Sequence, residues 1–209
     1  MTAIELSQNE FSSAIQKACR SIGTDPALAT DIANACLFLE ASGLPSLSHL
    51  LPLLDTPTKA TTPDYLHSQN GYFARRVDLL QNGGSAMDHL SLATLTVQHC
   101  DSFPLLAALL VSGSAAQGRF VRALWPGQGW LLLSSPLLGQ KAPTIGGPIT
   151  FRFVPPEEQV GLKQIAPSDR VLVDMVLWAA LHIHAQKTYV PANDQTRLND
   201  AGAGLTDND

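Results

Sequence analysis

Two consecutive helix-start signals near the amino terminus constrain this chain more than any other feature of its sequence. Ser7 and Glu10 have the spacing of a capping box, in which the hydroxyl accepts from the amide three residues on and the carboxylate returns to the cap amide. Leu6 and Phe11 stand at the two positions of a hydrophobic staple. Phe11, Ala14, Ile15, Ala18, Cys19 and Ile22 then recur at helical spacing, and Gly23 can end the helix. Asp25 offers a second cap with Pro26 at the first helical position, and Leu28, Ile32, Ala33, Cys36 and Leu39 run on to Gly43. Residues 7–42 are therefore expected to form an antiparallel helical hairpin. Pro45 and Pro52 bracket Leu47-Ser48-His49-Leu50-Leu51, which suits one or two irregular helical turns, and the Thr/Pro-rich stretch Thr56 to Pro63 reads as a linker.

Beyond Tyr65 the periods mix. Asn82-Gly83-Gly84 predicts a turn. Ser85 and Asp88 suggest a capped helix or a short helical turn, while the residues from Leu92 to Val97 also alternate like a strand. Pro104 opens an apolar helix, Leu105 to Val111, which loses its pattern at Gly113 and Gly118. Residues 119–154 read as β structure: Phe120 to Leu124, a Pro126-Gly127 turn, Trp130 to Leu133, a Pro/Gly loop, then Ile149 to Phe153. In the last of these Ile149, Phe151 and Phe153 should point inward and Thr150 and Arg152 outward. Ser168 can cap a final long helix, apolar on nearly all sides from Val171 to Ala185, which should pack centrally, against the sheet. The fold class is α+β: an N-terminal helical hairpin, a central antiparallel β layer and a long C-terminal helix. One domain, 1–209, is expected, with a helical subregion at 1–55, an α+β body at 65–191 and a tail at 192–209.

Charge narrows the partners. Charged residues are 15% of the chain, against roughly 25% in typical soluble domains, which favours a homo-oligomer or a partner subunit. The net charge is −5 and no segment is a run of Lys or Arg, so nucleic acid is not an expected partner. The longest apolar run, Val171 to Leu181, is interrupted by Asp174 and too short for a bilayer, so no membrane is expected either. Met1 to Leu6 show no basic region followed by an apolar core, and Cys19, Cys36 and Cys100 form an odd set with no CxxC spacing. Both observations suit a cytoplasmic protein with reduced core thiols.

No complete catalytic signature is present, and no cofactor is expected. Arg75-Arg76 stand out in a charge-poor chain, because adjacent guanidinium groups need an anion, a carboxylate or solvent to compensate them. Arg122 and Arg152 form a second candidate anion-binding pair if their strands lie side by side. The ending Ala201 to Asp209 carries Asp207 and Asp209 behind two glycines; it is either a solvated tail or docks so that an aspartate meets Arg75 or Arg76. Gly83-Gly84-Ser85 before a helix start could hold a small anion on free amides, or be a plain tight turn. His182-Ile183-His184 would converge on a metal only in an extended segment; on a helix the rings diverge by about 160°, so no metal is expected. Asp88-His89 and Cys100-Asp101 hold catalytic residue types, but sequence neighbours usually point apart. Gly113 to Arg119 has the glycine separation of a phosphate loop with Arg119 where lysine should stand.

Leu6-Ser7-Gln8-Asn9-Glu10-Phe11, Ile32-Ala33-Asn34-Ala35 and Ala41-Ser42-Gly43-Leu44 resemble the N-terminal helical region of the nicotinamide-dependent malate/L-lactate/sulfolactate dehydrogenase family, over about a quarter of the chain. That family has a Ser-His-Gly motif whose histidine transfers protons; Ser48-His49 falls near the corresponding place, with Leu50 instead of glycine. This resemblance implies an enzyme on small carboxylic acids with His49 as catalytic acid/base. The whole chain, especially Tyr189-Val190-Pro191 and the ending, looks more like an uncharacterised bacterial family of unknown function, and that resemblance implies no activity. The expected function is a non-catalytic or accessory protein of bacterial metabolism that binds a small anionic metabolite or a partner subunit. Arg75, Arg76, Arg122, Arg152, Asp207 and Asp209 are its candidate ligand-binding residues. The alternatives are the reduced dehydrogenase relative and a self-associating structural protein.

Overall fold

The computed structural model describes residues 2–56, 65–115, 117–124, 131–133, 147–162 and 168–188. In chain order these form β1 (Ala3–Ser7), α1 (Gln8–Ser21), α2 (Pro26–Ala41), α3 (Ser46–Asp55), β2 (Tyr65–Ser68), β3 (Gly71–Val77), α4 (Leu79–Leu92) and β4 (Leu95–Cys100). There follow α5 (Phe103–Ala115), β5 (Val121–Leu124), β6 (Leu131–Leu132), β7 (Ile149–Phe153), a 3-10 turn at Pro156–Glu158, β8 (Arg170–Asp174) and α6 (Met175–Gln186). Among the described residues this is a mixed α/β fold of six α-helices and two sheets.

The two helix starts form as their residues dictate. The Ser7 amide donates to the Glu10 carboxylate at 2.8 Å and the Glu10 amide returns to Ser7 Oγ at 3.3 Å, while Asp25 Oδ1 accepts from the Ala27 and Leu28 amides at 2.8 and 3.4 Å. α1 buries the stripe Phe11, Ala14, Ile15, Ala18 and Cys19. α2 is buried on every side of its second half, from Ala35 to Leu39, and packs on α1 and α5. α5 is also enclosed, with Leu105 to Leu110 all buried, so α2 and α5 are the central helices. α3 is more regular than its flanking prolines suggest. It contains Pro52 and is tethered to the end of α2 by Glu40 Oε1, which accepts from both the amide and the hydroxyl of Ser46 at 2.7 Å.

The turn expected at Asn82-Gly83-Gly84 is instead a kink inside α4. Asn82 leaves helical geometry (φ −135°), and its Oδ1 accepts from the Asp78 amide at 3.0 Å while its own amide donates to the Asp78 carbonyl at 2.8 Å. Gly83 lies against α2 and α5: an added Cβ would stand 3.0 Å from Leu109 and 3.5 Å from Leu28. The glycine serves helix packing there. Leu95 and Val97 are buried in β4, which resolves the mixed period in favour of a strand.

The larger sheet has the order β2-β3-β4-β7-β5-β6. It is mixed, not the antiparallel layer expected, because α4 carries the chain from the end of β3 back to the start of β4 and so leaves those neighbours parallel. Gly71 opens β3 at φ +126°, and a side chain there would run into the Thr94 carbonyl oxygen that accepts from the Tyr72 amide. Ile149 and Phe151 face the core with Val121 and Ala123, whereas Phe153 is only half-buried.

The long helix expected from Val171 begins later, and Ser168 does not cap it. Arg170–Asp174 pairs antiparallel with β1, Ala3 opposite Asp174 and Ser7 opposite Arg170. Val171 and Val173 are buried and Leu172 exposed, the period of a strand. Asp174 caps α6, its Oδ1 accepting from the Val176 and Leu177 amides at 2.8 and 3.2 Å, while the Ser168 carbonyl takes the Gln8 side chain at 2.6 Å. α6 packs on α1 and α3, with Trp178 stacked 6.2 Å from Phe11, and not at the centre. Only Leu181, His184 and Ala185 of α6 are buried. The linker from residue 57, the Pro126-Gly127 turn, Trp130, the loop before Gly147 and the tail lie outside the described residues. Asp174→Ala should lower stability by about 1 kcal/mol and Ser168→Ala by less than half of that. Urea unfolding of the two variants checks the order.

Candidate functional site

Two clefts lie at opposite ends of β4. At its carboxyl end β3 and β4 stop side by side, with Arg76 opposite His99 and Val77 opposite Cys100. The cleft measures about 260 Å³ and carries Arg76, Asp78, Gln81 and Asp101 among apolar walls that include Ile22, Leu53 and Leu80. Arg76 Nη2 donates to Asp101 Oδ1 at 2.7 Å, so the arginine is compensated by a carboxylate of the neighbouring strand end. Asp78 is only 4% exposed, and among the described residues no hydrogen bond reaches its Oδ2. Burial, and then the charge of Asp101, raise the Asp78 pKa above the usual carboxyl range, against the opposing pull of the Leu80 and Gln81 amides and of Arg76.

The second cleft, about 300 Å³, lies at the amino end of β4. The strand there is entered through Ala93 and Thr94, and Arg119, Arg152 and Phe153 share the wall, which holds no carboxylate among the described residues. The Arg119 guanidinium sits 3.2 Å above the centre of the Phe153 ring. Stacking uses the face of the guanidinium and leaves its in-plane N–H donors for another partner. Arg152 stands directly across from Arg122 in the β5–β7 register, and Arg122 is bound by Glu158 at 2.7 and 3.5 Å. The strands of this arginine pair are therefore adjacent, with a carboxylate of the 3-10 turn offsetting the like charge.

The other candidates are dispersed. Arg75 falls between the register pairs Ala74–Val97 and Arg76–His99, and so shares the sheet face of Phe73 and Thr96 and not that of Arg76. His49 is half-buried on α3 and lines neither cleft; burial lowers its pKa, and no hydrogen bond from a described residue orients its ring. Asp207 and Asp209 lie outside the described residues. His89 is a packing residue: its Nδ1 donates to the Ser85 carbonyl at 2.6 Å, and its ring stacks on Tyr65 at 3.9 Å with Tyr72 edge-on at 4.5 Å. His182 meets Trp178 edge-on while His184 Nε2 is 3.0 Å from Asp55, so the two imidazoles face different elements. Cys100 has its thiol pushed up to about 12 by burial and by Asp101, which disfavours a nucleophilic thiolate. Gly113 lies inside α5, so the phosphate-loop glycine spacing does not precede a helix, whereas Gly83 and Gly84 directly follow the break at Asn82 and begin the second helical segment of α4.

Sequence reasoning missed Asp78 and the Asp101 partner of Arg76, and saw Arg119 only as a misplaced phosphate-loop residue. The one available signal was an acid directly after Arg75-Arg76-Val77, where a strand should stop.

Fold and clefts together define a mixed α/β protein with a cleft bearing ionic groups at each end of one inner strand. Residues 6–93, from the end of β1 to just past α4, match the model of a family described as Protein of unknown function (DUF3726), which accords with the resemblance to an uncharacterised family. No curated protein and no solved structure matches the chain. No helix among the described residues is long and apolar enough to cross a membrane.

Asp78 makes stability depend on pH. Because its folded pKa is raised, the folded state holds that proton more readily than the unfolded chain, whose aspartates titrate near about 3.9. Stability is therefore lost as pH rises from the unfolded to the folded pKa of this group. Asp78→Asn should be more stable than the parent at pH 7, with the difference vanishing near pH 3. Denaturant titrations across that range measure it.

Proposed function

We propose that this chain is a non-catalytic or accessory protein of bacterial cytoplasmic metabolism that binds a small anionic metabolite in the arginine-lined cleft at the amino end of β4. The observation that carries the reading is that Arg119 and Arg152 line one cleft in whose wall no carboxylate stands among the described residues. A carboxylate or phosphate entering it meets the in-plane donors of Arg119, whose guanidinium is held flat on Phe153, and the positive charge of Arg152. Arg122, directly across from Arg152 in the register, is bound by Glu158. On this reading the antiparallel hairpin of α1 and α2 and the C-terminal helix α6 are scaffold. Succinate and inorganic phosphate are suitable probes. At least one should raise the melting temperature saturably, and Arg119→Ala or Arg152→Ala should weaken it roughly tenfold, the loss of one charge-assisted contact. No shift with either anion, or unchanged affinity in the double variant, overturns the reading.

A second reading, self-association, is favoured by the outer face of β8 and α6, where Leu172, Val176 and Ile183 are 67%, 76% and 63% exposed. In a chain with few charges this apolar stripe suits a two-fold contact with another copy. Sedimentation velocity should then find a dimer that Val176→Asp converts to monomer; a wild-type monomer at every concentration would rule it out.

A further inference from the structure

We infer that the cleft at the carboxyl ends of β3 and β4 is a separate binding site, for a small organic cation bearing a primary ammonium group, with Asp78 as its anchor. Three features of the cleft carry this, the first two of them absent from the described lining of the arginine-lined cleft. First, Asp78 is almost wholly buried yet keeps Oδ2 without a hydrogen bond among the described residues, while Asn82 beside it binds the Asp78 backbone through its Oδ1 and its own amide. A buried acceptor in that state costs stability until a donor reaches it, and a charged donor compensates both the lone pairs and the charge. Second, the lining holds two carboxylates and one guanidinium, and that guanidinium is bound to Asp101 at 2.7 Å. An incoming anion would meet Asp78 and Asp101, whereas an ammonium group finds net negative charge. Third, Ile22, Leu53 and Leu80 give the walls an apolar side suited to a short alkyl body. A metal ion is the poorer occupant, because no group of three or more potential ligands gathers among the described residues.

The raised Asp78 pKa agrees with this geometry, since a carboxyl awaiting a cation is held in a state that disfavours its charge. Binding an ammonium group should reverse that shift. The test uses n-butylammonium chloride, with n-butanol and butyrate as controls. Butylammonium should raise the melting temperature saturably at pH 7 and lower the Asp78 pKa read from its side-chain carboxyl carbon by NMR; n-butanol and butyrate at equal concentration should do neither. Asp78→Asn should weaken binding at least about tenfold, and Arg152→Ala should leave it unchanged, which separates this site from the anion cleft. The inference is overturned if butylammonium moves neither the melting temperature nor the Asp78 signal, if butyrate binds as well, or if folded Asp78→Asn binds as tightly as the parent. Should that variant not fold, the NMR titration of the wild-type protein decides alone.

Discussion

The contact between α2 and α5 is the constraint to which the other elements conform. Both helices are apolar around most of their circumference, so neither can lie at a surface, and each must be covered on several sides. α1 and α3 cover α2, the kinked start of α4 fits against both through Gly83, and the sheet closes on α5 through Phe103 and Phe151. Burial there is dense in alanine and leucine, so the helices approach closely. With the centre apolar, ionic groups are left to the helix surfaces, the caps and the ends of the strands.

That placement gives the two clefts their opposite character. α4 returns the chain so that β3 and β4 run parallel, which brings Arg76, Asp78 and Asp101 to one end of the sheet although Asp101 is 25 residues from Arg76 in sequence. β7 and β5 run antiparallel to each other with β7 against β4, and their register sets Arg152 opposite Arg122 and near Arg119 at the other end. One end thus carries an excess of carboxylate and the other an excess of guanidinium, separated by the length of β4.

The two strand-to-helix units of the small sheet show a different economy. β1 and β8 each end in the residue that caps the helix following it, Ser7 for α1 and Asp174 for α6. Pairing the strands therefore also sets both helix starts, and it lays α1 against α6 through Phe11 and Trp178. The buried thiols Cys19 and Cys36 sit in α1 and α2, where desolvation raises their pKa and leaves them part of the packing.

Local chemistry alone determined the first two helices, the apolar helix after Pro104 and the alternation of Ile149 to Phe153, because caps and periodicity act within a few residues of their own backbone. It also kept His182 and His184 apart, since a helix rotates neighbours away from each other. The rest needed partners distant in sequence. Val171 to Asp174 is a strand because β1 is there to pair with it, Gly83 beside the Asn82 kink lies where Leu28 of α2 and Leu109 of α5 come close, and β3 and β4 are parallel because α4 fits across them. The Asp78 carboxyl is chemically distinctive for the same reason: burial and the neighbouring Asp101 charge arise only when the strand ends meet, and neither is written in the residues around it.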